Sequence, residues 1–429
     1  MLSSIITLMI TICLLFLIKP SCSLVNLVES ASLRTAGSAG FEFFSIGNEN
    51  YIGAANFWDG KSQDMSAYST VSRVFIDPTT NKLKLTEVQR FRTKGAHGVD
   101  VFNTNKNKDD VFLSIPNYYG CGSDRGPAKD GCDSTFVYKY NNTDLKFHMF
   151  QTLRTSGPAQ TDHFVLNDQN IFLIVGENFN DEVCIYKLQA TDSLFTKHSC
   201  LKVPGAGSMA IINEGDDGIF LIASSYHDNG WRTNTRIYRA DTTDQDLVFT
   251  EHQRILTYGC HDAEVGKFST GTFVFLSEDR SDSSSTIESS LLIYNPSSKL
   301  FQLHQRIPGD GAHAAELFEG PDGAVYLFIA NFGDRLGQRY ASFSTLWRQN
   351  GNTGQFEQIS RVSSQGATDV EHFVLQGRHF LGLSNEGDIG NRKHQVSVFY
   401  ELVTGDEEKE KKVTEEKEEE VGKNIINEL

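Results

Sequence analysis

Apolar positions along this chain fall into two patterns that follow one another repeatedly. One alternates apolar with polar residues, as in Lys84-Leu85-Thr86-Glu87-Val88-Gln89-Arg90-Phe91, the mark of a strand covered on one face. The other is a near-continuous apolar run, as in Val111-Phe112-Leu113-Ser114-Ile115, Ile171-Phe172-Leu173-Ile174-Val175 and Val325-Tyr326-Leu327-Phe328-Ile329. A strand needs such a run when both of its faces are buried. With Gln89 as origin, the pattern restarts at Ala31, Gln89, Gln151, Ser199, Gln253, Gln305 and Ser360, at intervals of 48 to 62 residues. That length is too great for a hairpin and suits a four-stranded blade with its loops. A glycine stands six residues past every origin, at Gly37, Gly95, Gly157, Gly205, Gly259, Gly311 and Gly366. Either a turn with φ > 0 or a close approach at a crowded axis explains a position that excludes Cβ.

The pattern predicts an all-β, seven-bladed β-propeller over residues 24–402. The last unit ends with the strand 395–402 and lacks an outer strand, while residues 24–33 form a strand that no blade precedes. Pairing the two completes blade seven and removes an exposed seam, so the N-terminal strand is expected to close the ring.

The chain ends and the charge add a setting. Residues 1–23 read as a signal peptide, with an apolar run from Ile5 to Ile18 and a small-residue cleavage site at Ser21-Cys22-Ser23. No later segment is apolar enough to span a bilayer. Cleavage leaves Cys121, Cys132, Cys184, Cys200 and Cys260 in a compartment that permits disulfides. Cys121 and Cys132 bracket a loop worth stapling, and a hairpin turning near Asp192 brings Cys184 opposite Cys200. Cys260 is then odd, a buried thiol or an intermolecular link. The net charge of −16 is partly local to residues 406–420, so residues 403–429 read as an acidic tail, helical or disordered. A negative, Arg-poor exterior argues against nucleic acid and anionic membranes. Asn141-Asn142-Thr143 is an acceptable glycosylation sequon. The closing Ile426-Asn427-Glu428-Leu429 departs at its first two positions from a retention signal of the endoplasmic reticulum, which leaves lumenal retention as the lesser alternative to secretion.

Three segments carry a resemblance: Phe249-Thr250-Glu251-His252-Gln253, Gly95-Ala96-His97-Gly98-Val99-Asp100 and Tyr326-Leu327-Phe328-Ile329-Ala330-Asn331. They resemble the aromatic-x-x-x-Gln opening, the Gly-Ala-x-Asp turn and the Tyr-Leu-x-x-Ala-Asn segment of the epilepsy-associated (EAR or EPTP) repeat. The resemblance covers nearly all of the chain between the leader and the tail. It implies a seven-bladed extracellular propeller that binds other proteins, as in the secreted leucine-rich glioma-inactivated proteins. The leucine-rich and laminin-G-like modules of such proteins have no counterpart here, so their particular receptors are not carried over. The unit at Ser199 lacks both the glutamine and the later acid.

Two sets of residues are candidates for function, the first made of acids and histidines placed near the channel. Eleven past the origin stand Glu42, Asp100, Asp162, Glu264, Glu316 and Glu371, with Ala210 in the irregular unit. If that position starts the innermost strand, six carboxylates converge on the channel and Ca²⁺ would relieve their repulsion; the alternative is that each caps N–H groups in its own turn and points away from the axis. Histidines recur at His97, His261 and His313, eight past the origin, and at His163 and His372, twelve past it. They read as hydrogen-bonding turn residues before metal ligands, because their spacing lies between blades. The second set is a recognition rim: Trp58 and Tyr68, Tyr118 and Tyr119, and Trp231 and Arg232, residue types that dominate interfaces. No His-Glu-x-x-His, Gly-x-Ser-x-Gly or phosphate-cradling loop is present. The expectation is a secreted module binding an extracellular or cell-surface protein, with no enzyme activity and no required cofactor. A glycan or small-molecule binder, or an enzyme, using the acid- and His-lined channel mouth is the alternative.

Overall fold

The structure is a computed structural model that describes residues 25–59, 65–104, 107–120, 134–166, 170–189, 194–243, 246–387 and 395–405. Two compact units divide the chain: residues 29–401, and residues 1–28 together with 402–429. In the second unit residues 25–28 and 402–404 are extended strand. The strands form seven four-stranded sheets. Blade one runs outward as Ser38–Ile46, Glu49–Asn56, Ser66–Ile76 and Leu83–Lys94. The inner strands of blades two to seven are Asp100–Thr104, Pro158–Leu166, Ala206–Asn213, Cys260–Phe268, Ala312–Glu319 and Ala367–Leu375. Blade seven continues through Arg378–Asn385 and Gln395–Thr404, and Val25–Thr35 supplies its outer strand. The all-β seven-bladed propeller and its closing N-terminal strand are therefore as the pattern predicts.

The continuous apolar runs are second strands, and the packing explains them. Phe172 and Ile174 of blade three join Met209, Leu221 and Ala223 of blade four in one cluster, while Leu173 and Val175 on the opposite face join Phe102 and Val137 of blade two in another. Sandwiching between neighbours removes both faces from water, which stabilises each large side chain by about 1.5–3 kcal/mol. All seven repeated glycines have positive φ, between +52° and +66°. At Gly311 a Cβ would also lie 2.4 Å from the Gly333 carbonyl oxygen, so the turn and the close approach operate together.

The glutamine at the origin has a defined task. Gln89 Nε2 donates to the Phe147 carbonyl at 2.6 Å and Phe147 N–H donates to Gln89 Oε1 at 2.9 Å, so the amide pairs with the backbone of the next blade's outer strand. Gln151 repeats this with Phe195, Gln253 with Phe301 and Gln305 with Phe356. Each partner is the aromatic that opens its own aromatic-x-x-x-(Gln or Ser) segment. The Asn of the third segment is likewise structural: Asn331 accepts from Asp310 N–H and donates to the Phe343 carbonyl.

The Cys184–Cys200 disulfide joins the third and outer strands of blade three, and Cys260 is a buried free thiol. Cys121 and Cys132, residues 1–23 and residues 406–429 lie outside the described residues. Asn141 is exposed at the end of the third strand of blade two, just before the turn to the outer strand.

Candidate functional site

Strand pairing sets what the channel displays. In blades one, five, six and seven the inner strand slips by one residue against its neighbour, and the unpaired residue is Ala39, His261, His313 or Thr368. Blades three and four slip at the same place, around Ala159 and Gly207. A bulge of this kind turns an extra side chain away from the regular alternation. The residues eight and nine past the origin consequently line the same neck: Ala39, His97, Ala159, Gly207, His261, His313 and Thr368 with Gln160, Ser208, Asp262, Ala314 and Asp369 surround a cavity of about 30 Å³.

Above the neck opens a bowl of about 730 Å³ whose floor includes His97, His261 and His313 and whose wall carries Phe57, Tyr118, Tyr119, Phe179, Tyr226 and Trp231. The rings brace one another: Tyr118 meets Phe179 at 4.8 Å and Tyr119 at 5.0 Å, and Tyr226 meets Trp231 at 5.0 Å. Two guanidinium groups complete the wall, Arg280 stacked 4.2 Å over Trp231 and Arg335 3.7 Å over Phe332. Arg335 lies 3.5 Å from the buried Asp279, which accepts from the Tyr226 hydroxyl at 3.1 Å. Burial, with the Arg335 charge beside it, lowers His97 to about 4, and burial and the neighbouring imidazoles hold His261 and His313 well below their ordinary value. All three imidazoles are therefore neutral at physiological pH.

The six carboxyl residues lie within inner strands. Only Asp100 begins one; Glu42, Asp162, Glu264, Glu316 and Glu371 are the fifth residue of theirs, which corrects the expectation that the position starts the strand. They converge, joined by Asp262 and Asp369; Asp162 accepts from the N–H of its own neighbour His163, whereas four of these carboxylates bond across blades. Glu264 accepts from Leu317 N–H, Glu371 from Phe43 N–H, Asp262 from Ala315 N–H and Asp369 from Phe41 N–H. Burial first, and then mutual repulsion, raises Glu42, Glu264 and Glu316 well above their usual value, Asp162 to about 7 and Glu371 to about 8. Burial raises Asp369 to about 8. His163 donates to Asp100 at 3.0 Å, and Asp100 Oδ2 is buried with no hydrogen-bond partner. Burial lowers the His163 pKa, but Asp100 outweighs it and the imidazole rises to about 9. Asp100, Asp162 and His163 form one group that could hold a metal ion; His97, His261 and His313 form another.

Of the rim residues, Tyr118, Tyr119 and Trp231 line the bowl together although they come from two blades. Trp58 follows Phe57 in the same kind of loop, its N–H donating to the Ala36 carbonyl. Tyr68 is 55% exposed and lines a separate groove with Arg34, Arg90 and Arg92. Arg232 begins a third strand and is not among the residues lining the bowl. Sequence reading did not single out Phe179, Arg280 or Arg335. Arg280 lies just past the end of a second strand, at the position where Trp58 and Tyr119 stand in blades one and two, and that alignment is the signal that would have found it; Arg335 stands two residues beyond Gly333, the equivalent residue of blade six.

No family model matches this chain. A thrombospondin-type laminin G domain and EAR repeat-containing protein, from Mus musculus and from Homo sapiens, is 23% identical over 132 residues. The match spans 30% of this chain and 19% of each relative, so the chain spans about a fifth of their length. Solved structures share the fold at low identity. A putative 6-phosphogluconolactonase from Bacteroides uniformis gives a TM-score of 0.51 at 12% identity, covering 74% of this chain and 83% of that one. One from Bacteroides fragilis gives 0.50 at 12%, covering 86% and 89%. A periplasmic gluconolactonase from Pseudomonas aeruginosa gives 0.50 at 13%, covering 76% and 86%. These neighbours overturn the expectation of no enzyme activity: the fold is shared with proteins named as enzymes. Missing short motifs therefore exclude nothing, since a propeller site gathers its residues from separate blades.

Proposed function

We propose that the chain is an extracellular recognition protein of the EAR-repeat type that receives part of a partner protein in the mouth of its channel. The observation that carries this reading is the bowl itself. Six aromatic residues from four loops, stiffened by ring contacts and flanked by Arg280 and Arg335, form a preshaped cavity of about 730 Å³. Aromatic and Arg side chains around a concave site are the groups that anchor protein interfaces. The Cys184–Cys200 disulfide and the partial EAR-repeat match support a secreted setting. Under this reading residues 1–23 are a cleaved leader, residues 24–402 the propeller, residues 403–429 a solvated acidic tail and Asn141 a glycan acceptor. The carboxyl layer, with Asp100 Oδ2 unpartnered, is the place a Ca²⁺ ion would occupy.

The test is binding to an array of extracellular and cell-surface ectodomains. Tyr119→Ala and Trp231→Ala should abolish a wild-type interaction that Tyr68→Ala and Arg232→Ala leave intact. An interaction lost only in the latter pair would overturn the reading. A second reading is favoured by three neutral imidazoles and two guanidiniums in a bowl on a fold shared with sugar lactonases: turnover of a sugar lactone or another small carbohydrate in the same mouth. Lactone hydrolysis by wild type that His313→Ala abolishes would replace the binding role with a catalytic one.

A further inference from the structure

We infer that His97, His261 and His313 form a binding site for a divalent first-row transition metal, Zn²⁺ by preference, with its remaining coordination position open to the bowl. One ring nitrogen from each histidine lies within 4.8 Å of the others. Some point therefore lies within about 2.8 Å of all three atoms, so ring movements of under about 1 Å reach the usual Zn–N length of about 2.0–2.1 Å. Borderline imidazole donors suit zinc, copper or nickel, whereas calcium and magnesium take oxygen.

Each of the three imidazoles is backed by the backbone of the following blade, most closely His313. His313 Nδ1–H donates to the Thr368 carbonyl at 2.7 Å, which leaves Nε2 as its lone-pair atom. The His97 ring is hydrogen-bonded to the backbone of Ala159, and the His261 ring to the backbone of His313. Each imidazole thus commits one N–H to the equivalent bulge residue of the following blade and keeps one lone pair. Such outer partners fix the tautomer and orient a ligand for a metal. Space is provided by the rest of the neck: the equivalent positions hold Ala39, Ala159, Gly207 and Thr368, so three imidazoles from blades two, five and six can meet at the axis. The small cavity of about 30 Å³ lies directly against them, also bounded by Asp262 and Asp369.

Three protein nitrogens and an open position make the catalytic rather than the closed structural arrangement of zinc. His97, His261 and His313 face both the small cavity and the bowl, so an incoming group would approach from the bowl past Arg335. A carboxylate or a polarisable carbonyl is the ligand class that a metal and a guanidinium would share.

The experiment uses full-length protein stripped with a chelator and dialysed, then titrated with Zn²⁺ against a chromophoric competitor, with Co²⁺ as a spectroscopic probe. The expected result is one zinc per chain and the visible ligand-field bands of tetrahedral Co²⁺ bound to nitrogen. His261→Ala and His313→Ala should weaken zinc at least about tenfold, the lower end of what even second-shell losses cost. These variants are expected to fold because sister blades carry Ala, Gly or Thr at the same position, and thermal unfolding checks it. Glu42→Gln should leave zinc affinity unchanged. The inference is overturned if wild type, His261→Ala and His313→Ala bind zinc equally, or if wild-type Co²⁺ shows only the weak bands of an octahedral oxygen site. The Co²⁺ arm needs no variant, and neither arm depends on a partner or substrate.

Discussion

If the origin glutamine joins each blade to the next, removing one amide should cost a calculable amount, and supplying one where it is missing should return it. In Gln89→Ala the two hydrogen bonds to Phe147 disappear, each worth about 1 kcal/mol net, and a peptide N–H and C=O inside the ring lose their partner, adding about 1 kcal/mol. The loss is therefore about 2–3 kcal/mol. An unfolding entropy of about 2.1 cal/mol/K per residue over roughly 370 residues is about 0.8 kcal/mol/K, so the midpoint falls by about 3 °C. Gln89→Glu should do at least as much harm, because it keeps an acceptor and sets a second one against the Phe147 carbonyl. Gln151, Gln253 and Gln305 lie in other blades, so their Ala variants should behave alike and add nearly linearly. Blade three offers the reverse experiment. Ser199 occupies the glutamine position, and the preceding His198 already reaches the Leu247 carbonyl, just as His252 and His304 reach Lys299 and Gly354 beside intact staples. The register toward Phe249 is thus in place, and Ser199→Gln should raise stability by about 1 kcal/mol. Calorimetry and urea titration at constant m-value measure all of these. Four Gln→Ala variants that keep the wild-type midpoint would refute the argument, as would a Gln89→Glu protein more stable than Gln89→Ala.

Other consequences are separable. Asp369 and Glu371, raised to about 8 chiefly by burial, hold a proton more tightly folded than unfolded. Stability of chelator-treated protein should therefore fall as pH rises from about 4 to about 8, in the sense that the native state binds more protons throughout that window. His163, raised to about 9, contributes stability present below about 6.5 and lost through pH 9, so both effects share a sign above neutrality. Thermal midpoints at fixed ionic strength test this, and a midpoint rising from pH 6.5 to 9 would contradict it. Gly311→Ala should cost well over 2 kcal/mol, because it adds a clash with Gly333 to a φ of +66°, whereas Gly47→Ala, at φ +60° in open space, should cost only about 1–2 kcal/mol. Equal losses would show that the close approach is unimportant. Replacing Cys184 and Cys200 by Ser opens a loop of 16 residues and should remove about 3 kcal/mol, measured by urea unfolding against the oxidised parent.

What the chain declares about itself depends on whether a feature is local. The blade period, the glycine at each turn, the orphan strands at the two ends and the Cys184–Cys200 hairpin are all written in consecutive residues, and each can be read from them. The neck cannot. Strict alternation would let residues nine and eleven past the origin face the channel and turn residue eight aside; the slip that brings His261 or His313 inward is a count between two strands, invisible in either one alone. The spacing between blades that argued against a metal is the same fact seen from outside the ring. His97 is 164 residues from His261 in the chain, yet both belong to one floor. The same reasoning governs the search for catalytic strings. An elbow or a phosphate loop concentrates its chemistry in a few neighbouring residues, whereas closing seven blades gives each one a single seat at the axis. A propeller's chemistry must therefore be sought by comparing equivalent positions across repeats. On that comparison the three histidines stand out against Ala39, Ala159, Gly207 and Thr368, and Arg280 against Trp58 and Tyr119.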